Sequence, residues 1–213
     1  MKSKSVLIIS LLLNAVLFLF VLTTAIIYRD RILQRFARWK DDAKIVTFGD
    51  SITAQGNWVE LLGRTDVINS GFPGLCTHHF VELVQSQVID LEPQVCFIMA
   101  GINDIMVGVC PEKAQANYQS ILEKITSKNI TPIVTLTLYE QNDPASKKEV
   151  EQLNNFLIHY CTANKIEYLD LNVLISDSTG LKSEFAADKT HLNGKAYKLW
   201  AKEINKILKR KEV

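Results

Sequence analysis

Short apolar segments alternate with amphipathic segments from Lys44 to the end of this chain, and this alternation restricts its fold more than any other feature. The short segments are rich in β-branched residues, which is typical of strands buried on both faces. Parallel strands joined by helices imply right-handed crossovers and a three-layer α/β/α sandwich. The predicted strands cover residues 45–48, 67–69, 95–100, 133–138 and 168–171.

The segments between the strands carry apolar residues at intervals of three and four, as one face of a helix requires. In one of them Val150, Leu153 and Leu157 fall in register. In another, Pro111 suits the first helical position, where a missing N–H is not needed. Predicted helices cover residues 58–62, 79–91, 112–128 and 146–164, and a last helix begins near Asn193.

The N-terminal 28 residues form a separate segment. Residues 6–27 are apolar except for Ser10, Asn14, Thr23 and Thr24. A helix of this length spans about 33 Å, which is enough to cross a bilayer. Because the run is longer than the apolar part of an ordinary signal peptide, we expect an uncleaved transmembrane anchor over residues 1–28. A cleaved signal peptide and a buried core helix are the alternatives.

A basic segment, residues 29–43, follows the anchor and carries apolar residues at helical spacing. It is predicted to be a juxtamembrane helix on anionic headgroups, or a solvated linker whose apolar residues dock on the domain. Lys2 and Lys4 favour a cytoplasmic N-terminus, whereas the arginines after the span favour the opposite orientation. A short N-terminal tail before a long first apolar segment resembles many bacterial signal anchors. We therefore expect a single-pass protein of a bacterial membrane, with residues 44–213 outside the cytoplasm.

Charge and cysteine content bear on two other classes of function. The formal net charge is +1, so electrostatics gives no case for a nucleic-acid partner. No two of the four cysteines are spaced as a metal site or a redox pair. Cys96 is predicted to be a small core residue. Cys76 and Cys110 follow neighbouring strands, and the sequence leaves their pairing open.

Polar motifs lie just after three predicted strands and just before the last helix. Ser51 follows the first strand in Gly-Asp-Ser-Ile-Thr, Gly71 follows the second, and Asn103 follows the third. Asp188 and His191 lie in Asp-Lys-Thr-His before the last helix. Because parallel strands end at one edge of a sheet, we expect these residues to converge there.

These residue types suit nucleophilic catalysis. A serine hydroxyl needs a base within hydrogen-bond distance, and the base needs an orienting partner. His191 is the predicted base and Asp188 the orienting acid. The predicted oxyanion donors are the Ser51 N–H, the Gly71 N–H and the Asn103 side-chain amide.

Simpler interpretations exist for parts of these motifs. Asp188 precedes a helix that Asn193 is able to cap, and Asn103 suits a tight turn. Asp50 and Asp104 are predicted to hold loops or cap helices. The other histidines, His78, His79 and His159, are predicted to lie on the surface or to be satisfied by neighbours.

The four motifs together resemble those of the SGNH hydrolase superfamily, also called GDSL esterases and lipases. The name of that family refers to a catalytic Ser, Gly, Asn and His, which Ser51, Gly71, Asn103 and His191 match. Ile52 stands where the name GDSL has leucine. The resemblance covers the chain from about Lys44 onward. It implies a flavodoxin-like sheet of order 2-1-3-4-5 and hydrolysis of carboxylic esters without a metal or cofactor.

The expected substrate follows from two observations. Gly-Asp-Ser-Ile-Thr and His-Leu-Asn resemble family members that act on acetyl esters, including carbohydrate deacetylases and proteins like platelet-activating-factor acetylhydrolase. The loops are short and hold no lid-sized insertion, so we expect an acetyl or short-chain esterase acting on a glycan or small ester. The predicted pocket residues are Leu75, Met106, Val107, Val109 and Tyr139.

Two alternatives remain open at this point. One is a lysophospholipase or acyl-thioesterase working at the membrane surface. The other is a membrane-tethered binding module without turnover. The sequence does not predict an oligomeric state.

Overall fold

The computed structural model describes residues 2–28 and 43–213. The basic segment discussed above lies, except for Ala43, outside the described residues. Helix α1 covers Lys2–Ile27, and its part Ser10–Ile27 has a mean hydropathy of 2.4 with none of it buried. By length and composition this helix is able to cross a membrane, although a signal sequence has the same properties.

The sheet has five parallel strands in the order β2-β1-β3-β4-β5, which confirms the order implied by the family resemblance. Gly49 at the end of β1 pairs with Gly71 on one side and Met99 on the other, so the three central strands end at one level. This level is the carboxyl edge of the sheet. The strands are β1 Ile45–Gly49, β2 Val67–Gly71, β3 Val95–Met99, β4 Thr131–Thr135 and β5 Glu167–Leu169.

Helices follow every strand and cover both faces of the sheet. The helices after α1 are α2 Ser51–Gln55, α3 Trp58–Leu62, α4 Thr77–Gln87, α5 Ile102–Met106, α6 Pro111–Thr126, α7 Pro144–Ala163, α8 Asn172–Ile175 and α9 Gly194–Lys211. A 3₁₀ turn covers Ile89–Leu91, and a small hairpin joins β6 Ser176–Asp177 to β7 Gly180–Leu181.

The two faces of the sheet carry separate apolar cores. Helices α3 and α9 pack on one face, where Trp58 contacts Tyr197 and Trp200 edge to face. Helices α4, α6 and α7 cover the other, where Phe48 contacts Phe80 edge to face. All five residues of β1 are buried, as expected for a strand between two helical layers.

The predicted fourth strand, residues 133–138, is wrong in its bounds. Strand β4 covers Thr131–Thr135 and includes Pro132. The pairing with β5 starts only at Ile133, so Pro132 lies where that side of β4 needs no N–H donor. Residues 136–138 lie beyond the end of β4, although the Leu136 N–H still donates to the Leu169 carbonyl of β5 at 2.9 Å.

Candidate active site

Ser51 is placed at the carboxyl edge by the strand before it and the helix after it. It is the first residue of α2, directly after β1 and Asp50. The Asp50 side chain caps α2 by accepting a hydrogen bond of 2.9 Å from the Ile52 N–H. Asp50 therefore has the structural role predicted for it.

Ser51, His191 and Asp188 lie within hydrogen-bond distance in series. Ser51 Oγ is 2.9 Å from His191 Nε2. His191 Nδ1 is 2.8 Å from Asp188 Oδ2. The two halves of this arrangement are 140 residues apart in the chain.

The Asp188 carboxylate is held by the backbone of its own loop. Its Oδ1 accepts hydrogen bonds of 2.7 Å from the His191 N–H and 2.8 Å from the Thr190 N–H. These bonds lower the pKa of Asp188 to about 2, with a smaller contribution from the His191 ring. An ionised carboxylate only accepts hydrogen bonds, so the His191 proton lies on Nδ1 and the Nε2 lone pair faces Ser51.

The two other predicted oxyanion donors have protein partners in this structure. The Gly71 N–H donates to Asn69 Oδ1 at 2.9 Å. The Asn103 Nδ2 group donates to the Leu75 carbonyl at 3.0 Å, which leaves one of its two N–H bonds for another acceptor.

Gly71 is required by a close approach to the helix that begins with Ser51. A Cβ atom there would lie 2.3 Å from Ala54 N and 2.4 Å from Ala54 Cα. The end of β2 thus packs directly against the backbone of α2. Any larger residue at position 71 would push α2 away.

Asn69 fixes this contact and was not singled out from the sequence. Its Nδ2 group lies 3.1 Å from the Ala54 carbonyl and 3.0 Å from the Gly56 carbonyl, both at the end of α2. Its Oδ1 atom accepts from the Gly71 N–H. One side chain therefore ties the end of α2 to the end of β2.

Side chains of the apolar core hold the rest of α2. Tyr197 on α9 donates its hydroxyl to the Ile52 carbonyl at 2.6 Å. The Trp58 indole donates to the Thr53 carbonyl at 2.9 Å. Helix α2 is too short to be stable alone, so these bonds set the position of Ser51.

Glu140 supports the loop that carries Asp188 and His191. Its side chain is 4% exposed, and its Oε1 accepts a 2.9 Å hydrogen bond from the Thr190 hydroxyl. Lys189 Nζ lies 3.7 Å from the same oxygen and 2.8 Å from Asp143 Oδ2. No pattern around Glu140 indicated this role, because its partners lie far along the chain.

Residues predicted for other roles are placed as follows. Asn193 caps α9 by accepting from the Lys195 and Ala196 N–H groups. Asp104 accepts from the Thr77 N–H and hydroxyl at 2.9 and 2.6 Å, and so fixes the start of α4. His159 lies on the exposed side of α7.

Two of the predicted pocket residues are strongly exposed beside the site. Met106 is 57% exposed and Val107 is 67% exposed, just after the helix that carries Asn103. Leu75, Val109 and Tyr139 are partly buried. An apolar surface therefore lies close to the carboxyl edge of the sheet.

Cysteines and potential metal ligands lie outside the serine–histidine–aspartate group. Cys96 is fully buried in β3, as predicted, and Cys76 and Cys110 are both free thiols. Within the described ranges, one group offers three possible metal ligands in reach of each other, and it consists of Cys76, His78 and His79.

The buried carboxyl of Asp50 yields a prediction on stability. Burial raises the pKa of Asp50 from 3.8 to about 6, against the effect of the Ile52 and Thr53 N–H groups. The native state thus keeps this proton between about pH 4 and pH 6, where the unfolded chain loses it. The contribution of protonated Asp50 to the free energy of unfolding is therefore largest below pH 4 and is lost as the pH rises through about 6.

We expect Asp50→Asn to remove this dependence, because asparagine keeps the cap without a charge. Relative to the wild type, its free energy of unfolding should rise by up to about 3 kcal/mol between pH 4 and pH 7. Denaturant titrations at both pH values, followed by tryptophan fluorescence, measure this difference. Asp90→Asn, which changes an exposed carboxylate, is the control. If the difference in free energy of unfolding between Asp50→Asn and the wild type were the same at pH 4 and pH 7, the raised pKa of Asp50 would be contradicted.

Comparison with known proteins identifies relatives of the whole domain. The profile of the family described as GDSL-like Lipase/Acylhydrolase matches residues 47–199. A GDSL-like lipase from Bacteroides thetaiotaomicron superposes with a TM-score of 0.71 at 23% identity, over 80% of this chain and 90% of that one. A catalytic mutant of an acetylxylan esterase from Geobacillus stearothermophilus gives 0.66 at 17% identity, over 77% and 93%. At these identities the likeness shows the fold.

One curated relative is matched over only part of its length. The N-acylneuraminate cytidylyltransferase of Streptococcus agalactiae is 24% identical over 119 residues, which is 52% of this chain and 29% of that protein. The chain therefore spans less than a third of this relative.

Proposed function

Because this chain belongs to the GDSL-like lipase/acylhydrolase family, a family of carboxylic ester hydrolases, we propose that it hydrolyses esters through an acyl-enzyme formed on Ser51. The observation that carries the proposal is the series of distances from Ser51 Oγ through His191 to Asp188, at 2.9 and 2.8 Å. A serine, a base and an orienting acid in this geometry are what acyl transfer needs.

In the proposed mechanism, His191 Nε2 removes the Ser51 proton as Oγ attacks the ester carbonyl. The Asp188 carboxylate stabilises the imidazolium that forms, and above about pH 6 the ionised Asp50 adds a second negative charge. His191 then protonates the leaving alcohol. Water attacks the acyl-enzyme by the same route and regenerates Ser51.

The oxyanion is proposed to accept hydrogen bonds from the Ser51 N–H, the Gly71 N–H and the Asn103 amide. The Ser51 N–H lies in the first turn of α2, where N–H groups have no partner within the helix. Donation by Gly71 requires the oxyanion to share or replace the Asn69 acceptor. Asn103 has one N–H bond beyond the one it gives to Leu75.

The proposed substrate is an acetyl or other short-chain ester on a glycan or small molecule. The connections after β1, β2 and β3 contain only one, five and two residues, and these short connections support a small acyl group. Names among the similar proteins support a carbohydrate context, since one is an acetylxylan esterase and another acts on N-acylneuraminate. No cofactor is part of the proposal.

We also propose that the enzyme is anchored in a bacterial membrane. Its proposed parts are the anchor at residues 1–28, the linker at 29–43 and the hydrolase domain at 44–213, outside the cytoplasm. The apolar helix α1 supports the anchor by its length and hydropathy.

Acyl-chain preference tests the proposed substrate class. With the full chain in detergent micelles, we expect kcat/KM for p-nitrophenyl acetate to exceed that for the octanoate by about tenfold or more. The p-nitrophenyl butyrate value should lie between them. Only the part of the rate that a fluorophosphonate abolishes is attributed to the enzyme, so that spontaneous hydrolysis of the esters is excluded.

The opposite order would support the lysophospholipase or acyl-thioesterase alternative. Exposed Met106 and Val107 are the observation that favours it, because they offer an apolar surface to a longer chain. A folded protein that hydrolyses none of these esters and resists the fluorophosphonate would instead support the binding module.

A further inference from the structure

Three potential metal ligands meet at the start of α4, where the mechanism uses no side chain. Cys76 is the residue before the helix, and His78 and His79 lie in its first turn. One donor atom from each residue lies within 4.8 Å of the others. The two imidazole rings are 3.8 Å apart between centroids.

We propose that Cys76, His78 and His79 bind zinc or a similar divalent metal ion such as cobalt. One thiolate and two imidazoles are the ligands that zinc prefers, and a fourth position would be filled by water. Donors around tetrahedral zinc lie about 3.5 Å apart, so the three donor atoms, which lie within 4.8 Å of each other, must approach by up to about 1.3 Å. Cysteine spacing alone did not predict this group, because the other two ligands are histidines.

The three ligands differ in burial in a way that allows a metal ion to enter from solvent. Cys76 is buried, His79 is partly buried and His78 is exposed, so the donors lead from the surface inward. The Asp104 carboxylate lies close to Cys76 and Thr77, and its negative charge favours a cation there. Cys76 binds as a thiolate, and its proton passes to solvent.

Metal binding has a cost that limits the affinity. The Cys76 N–H donates to His79 Nδ1 at 3.1 Å, and the His79 N–H faces the Cys76 side chain while donating to the Cys76 carbonyl at 3.0 Å. A metal ion that takes the His79 Nδ1 lone pair breaks the capping box and leaves the Cys76 N–H to water, while the His79 N–H keeps the Cys76 carbonyl as its acceptor. We therefore expect micromolar binding rather than the tighter binding of a closed structural site.

The same segment contacts a proposed oxyanion donor. Asn103 Nδ2 donates to the carbonyl of Leu75, the residue before Cys76. Asp104, the next residue, holds Thr77 through two hydrogen bonds. A metal ion that shifts the start of α4 therefore shifts Asn103, and we infer that it lowers ester hydrolysis. This last step, unlike binding itself, rests on the proposed function.

Cobalt titration of the untagged full chain in detergent micelles tests the site. We expect a thiolate-to-cobalt absorption band that zinc displaces. Cys76→Ser should abolish the band, and His78→Ala should weaken binding by about tenfold or more. His78 is exposed, so its variant is expected to fold even where a change at buried Cys76 is not tolerated. Cys110→Ser and His159→Ala are the controls and should bind as the wild type does.

The outcomes distinguish metal binding from its effect on ester hydrolysis. Absence of the band, its survival in Cys76→Ser, or its loss in Cys110→Ser would overturn the metal site. Where the band behaves as expected, zinc should lower kcat several-fold, and a chelator should restore it. Unchanged kcat in zinc-bound protein would overturn the coupling to Asn103 alone. Because absorbance needs no turnover, an inactive protein would count against the proposed function and not against the site.

Discussion

Ser51→Ala should lower kcat/KM for p-nitrophenyl acetate by about 10⁴-fold or more, because it removes the atom that forms the acyl-enzyme. His191 then faces a methyl group, and only the oxyanion donors and substrate binding remain. Ser51 is partly buried at the first position of α2, while Asp50 carries the cap, so the helix should keep its start. Initial rates and the thermal midpoint of the full chain measure both effects.

Two further measurements make this prediction specific. Ser86→Ala changes an exposed serine on α4 and should keep wild-type rates. A fluorophosphonate should label the wild type and Ser86→Ala but not Ser51→Ala. Turnover and labelling that persist in Ser51→Ala would show that another residue is the nucleophile.

The sheet order and the location of the polar motifs are predictable from the sequence for one physical reason. Parallel strands all end at the same edge, so a residue just after any of them lies near the others. Alternating strand and helix patterns therefore carry Ser51, Gly71 and Asn103 to one edge without any knowledge of their contacts. Their roles in catalysis stay proposals.

The residues that fix the site geometry are not predictable in this way. Asn69 lies two residues before Gly71, yet its partners at the end of α2 are 13 and 15 residues away and are backbone carbonyls. Glu140 contacts Thr190 across 50 residues. Neither contact leaves a periodic signal, because backbone carbonyls and a single hydroxyl carry no pattern in sequence.

Gly71 lies at the predicted edge of the sheet, but the structure gives a different reason for a glycine there. The sequence predicts its N–H as an oxyanion donor, a role in which a residue without a side chain lets substrate approach the backbone closely. In the structure the approaching group is the backbone of α2 at Ala54, and the N–H already has an acceptor in Asn69. Packing between β2 and α2 therefore requires glycine whether or not the N–H binds the oxyanion.

The second large effect is expected at Asp188, where Asp188→Asn should lower kcat by about 10³- to 10⁴-fold. Oδ1 accepts from two backbone N–H groups at 2.7 and 2.8 Å, so the asparagine oxygen must stay there. Its NH₂ group then occupies the Oδ2 position and donates to His191 Nδ1 at 2.8 Å, which is the shorter of the two contacts, since Oδ1 lies 3.0 Å from the same atom. The His191 proton moves to Nε2, which faces Ser51 and is no longer able to act as a base.

Asp188→Ala distinguishes this tautomer argument from a structural one. Alanine removes more hydrogen bonds, but it leaves His191 free to carry its proton on Nδ1. If the tautomer decides activity, Asp188→Ala should be at least as active as Asp188→Asn. If the integrity of the loop decides activity, Asp188→Ala should be clearly less active than Asp188→Asn.

Asp177→Asn is the matched control. Asp177 is an exposed residue that likewise accepts a hydrogen bond from a backbone N–H two residues further on, at 2.8 Å from Thr179. It should keep wild-type kcat, since Asp177 contacts no histidine among the described residues.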